Sequence, residues 1–284
     1  MTTIRTVLTL AALTLREASR RRVLLALTVL TAVLIALSGW GFSRLAPESG
    51  GTLTSGEARL TASILLNLVM FGFSLIAALG TAFLAGPTLA GETESGIALT
   101  VLARPVRRSA FLLGKWLGLV AFGSGFVVLA GLAQCLVVRA AVGYWPPDPA
   151  AALALLAAQT TVLLTLAVLL STAVSPMASG VVAVGLFGTA WVAGVVGGIG
   201  ASLDNESVER IGTLSRMLLP TDGLWRGAMH GFQDPRALLQ FGDEGQAFPF
   251  LSAAPLTTAY LAWAALWVAM VWGLAAASFV RKDL

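Results

Sequence analysis

The chain has 284 residues, of which 57% are hydrophobic and only 11% are charged, with a formal net charge of +4 at pH 7. Soluble domains carry about 25% charged residues, so this chain cannot cover a water-facing surface in the usual way. Its single cysteine excludes an internal disulfide framework and a cysteine-based metal cluster. The composition therefore predicts a protein whose main solvent is lipid.

Residues 1–22 predict an amphipathic helix that is separate from the first span. Their apolar side chains recur at helical spacing, at Ile4, Val7, Leu8, Ala11, Ala12, Leu15 and Ala18. The run from Ser19 to Arg22 is too cationic for hydrocarbon, which favours an interfacial elbow helix over a simple extension of span one. A cleaved signal peptide is disfavoured, because the apolar run that follows is long enough to cross the membrane.

Five stretches without charged residues are long enough to span, since a helix needs about 20 residues to cross the hydrocarbon, and one of them, 149–203, is long enough for two crossings. We predict helices near 23–43, 60–89, 110–138, 150–174, 177–202 and 255–280. The fourth and fifth are divided at Ser175-Pro176, because proline lacks the N–H that a continuing helix needs. A β-barrel would alternate apolar and polar residues, whereas these runs are continuous. The expected fold class is an all-α polytopic membrane protein.

The distribution of lysine and arginine predicts the orientation. The N-terminal segment, the loop between spans two and three, and the C-terminus together hold eleven cations and four acids, whereas the opposite side holds seven cations and ten acids. We therefore expect a multi-pass protein of the cytoplasmic membrane with both termini in the cytoplasm. The chain reads as one domain, with spans one to five at 23–202, an extracytoplasmic segment at 203–254, and span six with its tail at 255–284.

The segment 203–254 is the largest part outside the predicted spans. Its apolar spacing predicts a helix near 206–219 that ends at Pro220, followed by a short helix capped by Thr221 or Asp222. Asp234-Pro235 resembles another helix start. The segment is either a lid or docking surface over a translocation path, or a connector that closes the bundle.

Catalytic signatures are absent from the sequence. It contains no G-x-x-x-x-G-K-[ST], no H-E-x-x-H and no G-x-S-x-G motif, so we expect neither an enzyme nor a bound cofactor. His230 lies near Met217 and Met229, which are more typical of packing than of a metal site. The notable polar residues of the spans are Asn67, Gln134 and Gln159, and the lack of ionisable groups there disfavours an ion-coupled carrier.

The loop 87–109 has an ordered pattern in which acids precede a short apolar helix that Arg104-Pro105 ends. Acids suit a helix N-terminus. Its sequence G-E-x-E-x-G, then L-x-x-L-x-R-P-x-x-R, then F-L-L-G-K resembles the loop after the second span of ABC-2 type permeases. The resemblance implies a type V exporter-like transmembrane domain whose coupling helix docks on a separate ATPase subunit. The implied coupling residues are Glu92, Glu94, Gly96, Leu99, Arg104 and Pro105.

The same resemblance implies the partners. ATP and Mg²⁺ would be bound by the ATPase subunits, and a second permease copy or a paralogue would complete the pathway in the bilayer. Leu219-Pro220-Thr221-Asp222 is similar to an external motif of the NosY-like branch, which implies an extracytoplasmic accessory protein; nucleic acid is not expected. Two other functions stay open at this point, an ATP-independent carrier or channel and a membrane scaffold for a maturation factor. The pattern does not select a substrate.

Overall fold

The computed structural model describes residues 3–20, 22–48, 56–94, 107–234, 249–252 and 254–281. Within these ranges the chain is almost entirely helical and contains no strand. The helices are α1 (Thr3–Arg20), α2 (Arg22–Glu48), α3 (Gly56–Glu94), α4 (Arg108–Val142), α5 (Pro149–Ser171), α6 (Pro176–Ser202), α7 (Glu206–Leu218), α8 (Thr221–Phe232) and α9 (Thr258–Arg281).

Six of these helices, α2 to α6 and α9, are long and apolar enough to cross a membrane. This confirms the all-α fold and the six predicted spans. The break between the fourth and fifth spans is also where it was predicted, since Ser175 occupies the N-cap position of α6 and Pro176 its first turn. Several boundaries differ, most of all at the ends of α2 and α3, which continue to Glu48 and Glu94 and so extend beyond the predicted ends at residues 43 and 89.

The N-terminal helix α1 packs across the first turns of α4. Two glycines of α4 make this possible, since a Cβ at Gly114 would lie 2.6 Å from the Cβ of Leu10, and a Cβ at Gly118 would lie 2.7 Å from that of Thr14. Lys115 and Glu17 form an ion pair at 3.4 Å beside this contact. α1 is therefore attached to span three by small-residue packing.

The predicted apolar stripe of α1 is divided between two environments. Val7 and Ala18 are buried, whereas Ile4, Leu8 and Leu15 are exposed on the helix surface. An exposed apolar edge beside basic side chains is what a helix needs in order to lie in a membrane interface.

The three polar residues singled out in the spans, Asn67, Gln134 and Gln159, connect parts of the chain that are distant in sequence. Each makes one hydrogen bond over a long sequence distance: Gln134 accepts from Ser38 at 2.9 Å, Gln159 accepts from Ser74 at 2.7 Å, and Asn67 donates to the carbonyl of Phe250 at 3.0 Å. Such bonds contribute about 0.6 kcal/mol each on average in membrane proteins. Their role here is packing of the bundle.

The bundle has two chemically distinct ends. At the first, which we call the basic end, α4 begins and α9 ends, and the Arg108 guanidinium donates to the carbonyl of Val280 at 3.0 Å. At the second, the hairpin end, α4 ends and α5 begins, and the hydroxyl of Tyr144 donates to the carbonyl of Phe232 at 2.8 Å. The predicted loop 87–109 begins within α3, whose last turns lie at the same end as the start of α4, and residues 95–106 between the two helices are outside the described residues.

Candidate functional site

Helices α7 and α8 form a helical hairpin, and local sequence explains both of its helices. The side chain of Asn205 accepts from the N–H of Val208 and caps α7, which ends before Pro220 close to the predicted position. The predicted cap of α8 is wrong, because Pro220 occupies the N-cap position and no side chain caps this helix. Asp222 lies in the first turn of α8, where its carboxylate has other partners.

Helix α7 folds back along α6 through contacts between glycines. A Cβ at Gly197 would lie 2.6 Å from the Cα of Gly212, so neither helix tolerates a side chain there without moving apart. Earlier in α6, a Cβ at Gly185 or Gly188 would meet no atom of the described residues within 4 Å, so these two glycines make no such contact. Close approach therefore belongs to the last third of α6.

The turn of this hairpin is buried from Leu219 to Asp222, whereas Leu218 is exposed. This hairpin tip, residues 218–222, contacts Gly194, eight residues before the end of α6, and Trp267, nine residues after the start of α9. At 1.5 Å per residue these positions are about 12 and 14 Å from the helix ends. The buried part of the turn thus packs between α6 and α9, and the two interpretations of the segment 203–254, a lid or docking surface and a connector, stay predictions.

The carbonyl groups at the end of α7 are bonded to side chains of α9. The hydroxyl of Tyr260 donates to the carbonyl of Arg216 at 3.0 Å, and the indole N–H of Trp267 donates to the carbonyl of Leu218 at 2.8 Å. A helix end packed between apolar helices needs such partners, since apolar side chains cannot supply them. Helix α9 therefore holds the hairpin tip in place.

We expect Trp267→Phe to lower the free energy of unfolding by about 1 kcal/mol, because it leaves the Leu218 carbonyl without its donor. Trp263 provides the matched control, since its indole N–H is buried without a partner among the described residues. Trp263→Phe removes a ring of the same size but no hydrogen bond, so it should lower the free energy of unfolding by less. Detergent-titrated unfolding of both variants measures the difference, and equal losses would refute the role of the bond.

Three charged side chains meet at the tip, and we call them the charge cluster: Arg216, Asp222 and Arg226. The Asp222 side chain is 1% exposed, and its Oδ2 accepts from the Nε of Arg216 at 3.0 Å and from the Nε of Arg226 at 3.1 Å. Arg226 also donates through Nη2 to the carbonyl of Gly194 at 2.8 Å. The carboxylate packs directly against Gly194, which has no side chain to obstruct it.

The charge cluster matches the helix ends that meet at the tip. Asp222 lies in the first turn of α8 and Arg216 in the last turn of α7, where the helix dipoles favour a negative and a positive charge respectively. Buried charges persist when they are paired and hydrogen-bonded. The cluster as a whole has two cations and one anion.

A cleft of about 300 Å³ opens beside the charge cluster, and we call it the arginine cleft. Its polar lining comes from Glu209, Arg216, Arg226, Ser252, Thr257 and Tyr260. A larger cavity of about 700 Å³ shares Pro255 and Leu256 with this cleft and is lined mainly by apolar residues of α5, α8 and α9. Polar and apolar spaces are thus adjacent at the hairpin end.

The sequence-predicted site residues fall in two places. Pro220, Thr221 and Asp222 form the hairpin tip and are buried. Glu92 and Glu94 belong to the last turn of α3 at the basic end. The other four coupling residues lie outside the residues that the structure describes: Gly96, Leu99, Arg104 and Pro105. Their roles stay a prediction.

The two arginines and Tyr260 were not among the residues predicted from the sequence. A signal existed for Arg226, since Asp222 and Arg226 have the i,i+4 spacing of a helical ion pair. Tyr260 is separated from the tip by 38 residues, and no local pattern connects the two. His230, which the sequence did not favour as a metal site, has its Nδ1 3.4 Å from the carbonyl of Ser252, and among the described residues no three His, Cys, Asp or Glu form a metal-binding group.

Comparison with known proteins gives one clear match. The family model described as ABC-2 family transporter protein matches residues 8–284, which include α1 in large part, all six spans, the hairpin and the loop at the basic end. None of the curated proteins matches the chain.

Proposed function

The chain belongs to the ABC-2 transporter family, and from this premise we propose that it exports its substrate across the cytoplasmic membrane, powered by a separate ATPase subunit that docks on residues 87–109. Membership makes it the multi-pass permease component of an ABC transporter. The observation that supports the proposal is the family match over residues 8–284, together with six spans in one bundle.

The docking site is proposed at the basic end. α3 ends at Glu94, so Glu92 and Glu94 are at the start of the loop, where they would meet basic groups of the ATPase. Leu99 would add apolar contact, while Gly96, Arg104 and Pro105 would shape the coupling helix. ATP and Mg²⁺ would bind to the ATPase subunit, and this chain would contribute no catalytic group.

A second permease copy, identical or paralogous, would complete the pathway. ATP binding would draw the coupling helices together and shift the pair between two arrangements of similar free energy. A continuous set of contacts is available to carry this motion, because Arg108 at the start of α4 bonds the end of α9 and α9 bonds the hairpin tip through Trp267. The basic end would face the cytoplasm with both termini, and the hairpin end would face outward.

We further propose the NosY-like branch, which is supported by the tetrapeptide Leu219-Pro220-Thr221-Asp222. Because these four residues are buried at the hairpin tip, they would shape the hairpin rather than contact an accessory protein. An accessory protein would bind exposed residues of the segment 203–254.

An affinity pull-down of the tagged permease, co-expressed with its neighbouring genes, tests the proposed function. We expect a nucleotide-binding subunit to elute in a stoichiometric amount, and the eluate to hydrolyse ATP. Recovery of the intact chain alone, in several detergents and in nanodiscs, would instead favour an ATP-independent carrier or channel, or a membrane scaffold.

A further inference from the structure

We propose that the arginine cleft binds a phosphate group of an anionic molecule. Assigning this molecule to the transported substrate rests on the proposed export function, whereas binding itself does not. The site lies at the hairpin end, opposite the proposed ATPase dock, and its ligand chemistry follows from the charge cluster, the cleft and the unused donors of two arginines.

The charge cluster has more positive than negative charge. Arg216 and Arg226 share the single carboxylate of Asp222, and both reach it through Nε. Arg226 uses Nη2 for the carbonyl of Gly194. Within the described part of the chain, both Nη atoms of Arg216 and the Nη1 atom of Arg226 have no hydrogen-bond partner. The two guanidinium groups can therefore donate hydrogen bonds to an additional anionic partner.

These donors are preorganised for an oxyanion. Asp222 holds both guanidinium groups through their Nε atoms, and the planar fork of arginine matches phosphate oxygens in a bidentate manner. The side chains of Arg216 and Arg226 are 29% and 16% exposed, so they are partly shielded from water but still reachable. Partial shielding strengthens their attraction for an anion relative to a fully solvated pair.

The dimensions of the cleft limit how the ligand binds. A volume of about 300 Å³ accommodates a phosphate group with a small substituent, and the walls at Gly197 and Gly223 carry no side chains. The rest of a larger molecule has to extend outside the cleft. The adjacent apolar cavity of about 700 Å³ provides room for part of an acyl chain. The phosphate can thus belong to a lipid headgroup or to a soluble phosphate ester.

One charged residue of the lining opposes an anion. Glu209 of α7 is exposed, so water and salt screen its charge more than they screen the charges of the two arginines. Its removal should therefore strengthen anion binding. This gives a test in which the expected change is a gain, which loss of folding cannot imitate.

The experiment uses the full chain in dodecyl maltoside, a detergent without phosphate. Phosphatidylglycerol, glycerol 3-phosphate and diacylglycerol are titrated separately, and the bound fraction is measured by native mass spectrometry. We expect wild type to bind a phosphate probe, Arg216→Gln to bind it about tenfold more weakly, and Glu209→Gln about threefold more tightly. Arg210→Gln is the matched control, since Arg210 is exposed on the same helix outside the cleft, and should leave binding unchanged.

The outcomes distinguish a lipid headgroup from a soluble phosphate ester as the ligand, and they distinguish failure of this site from failure of the proposed ATPase docking. Binding of phosphatidylglycerol alone identifies a lipid headgroup, whereas binding of both phosphate probes identifies soluble phosphate esters as well, and either supports the site. No binding of either phosphate probe, equal binding of diacylglycerol, or no tightening in Glu209→Gln would overturn it. Because the assay contains neither ATP nor ATPase, failure of the proposed docking would leave its result unchanged.

Discussion

Asp222→Asn is expected to lower the free energy of unfolding by about 2–3 kcal/mol, because it leaves two partly buried guanidinium groups without their shared counter-ion. The Asp222 side chain is 1% exposed and lies against Gly194, where asparagine has nearly the same size and shape. The loss would therefore be electrostatic rather than steric. Unfolding of the purified chain by titrated sodium dodecyl sulfate in mixed micelles measures it.

Two further variants test whether the loss of stability in Asp222→Asn comes from the unpaired arginines. Asp148→Asn replaces an exposed acid at the N-cap of α5, where asparagine caps equally well, and should change stability little. Combining Asp222→Asn with Arg216→Met removes one of the stranded charges, so the double variant should be more stable than the sum of the single losses predicts. A loss under about 1 kcal/mol in Asp222→Asn would refute the importance of the buried pairings.

The spans could be predicted from the sequence because their cause is local. Each is a continuous apolar run long enough to cross the hydrocarbon, and Ser175-Pro176 divides the longest one. The start of α7 at Glu206 and its end before Pro220 were also predictable, since a cap and a proline determine them.

The position of the hairpin could not be predicted in the same way. Charged residues are costly in hydrocarbon, so a segment with Arg216, Asp222 and Arg226 reads as one outside the membrane. The structure reduces this cost by pairing the three side chains with one another. The contact between Gly197 and Gly212 brings α7 back along α6. It depends on two helices, and the sequence of neither helix indicates that it packs against the other.

The packing of α1 shows the same limit. Helical spacing predicted its apolar stripe, but Gly114 and Gly118 of α4, about a hundred residues away in sequence, decide that Val7 is buried while Leu8 is exposed. At the candidate site, Asp222 was predicted because it belongs to the tetrapeptide. Its arginine partners and Tyr260 could be identified only from the three-dimensional structure.

The second large effect concerns the loop at the basic end. Reversing the charge of Glu92 and Glu94, both to arginine, should reduce co-purification of the ATPase subunit at least about tenfold, because like charges would face each other at the docking surface. Both positions precede the predicted coupling helix and follow the second span. Insertion and yield of the permease should not change, since added arginines at the end proposed to face the cytoplasm agree with the charge bias of the bundle.

The most direct measurement is therefore the molar ratio of ATPase subunit to tagged permease after a mild-detergent pull-down, for wild type and for the Glu92→Arg, Glu94→Arg double variant. Glu206→Arg serves as the control, since Glu206 is an exposed acid of α7 at the opposite end of the bundle. Docking on residues 87–109 predicts a stoichiometric ratio for wild type and the control, and loss of the ATPase in the double variant. The same ratio in all three, or no ATPase with any of them, would contradict it.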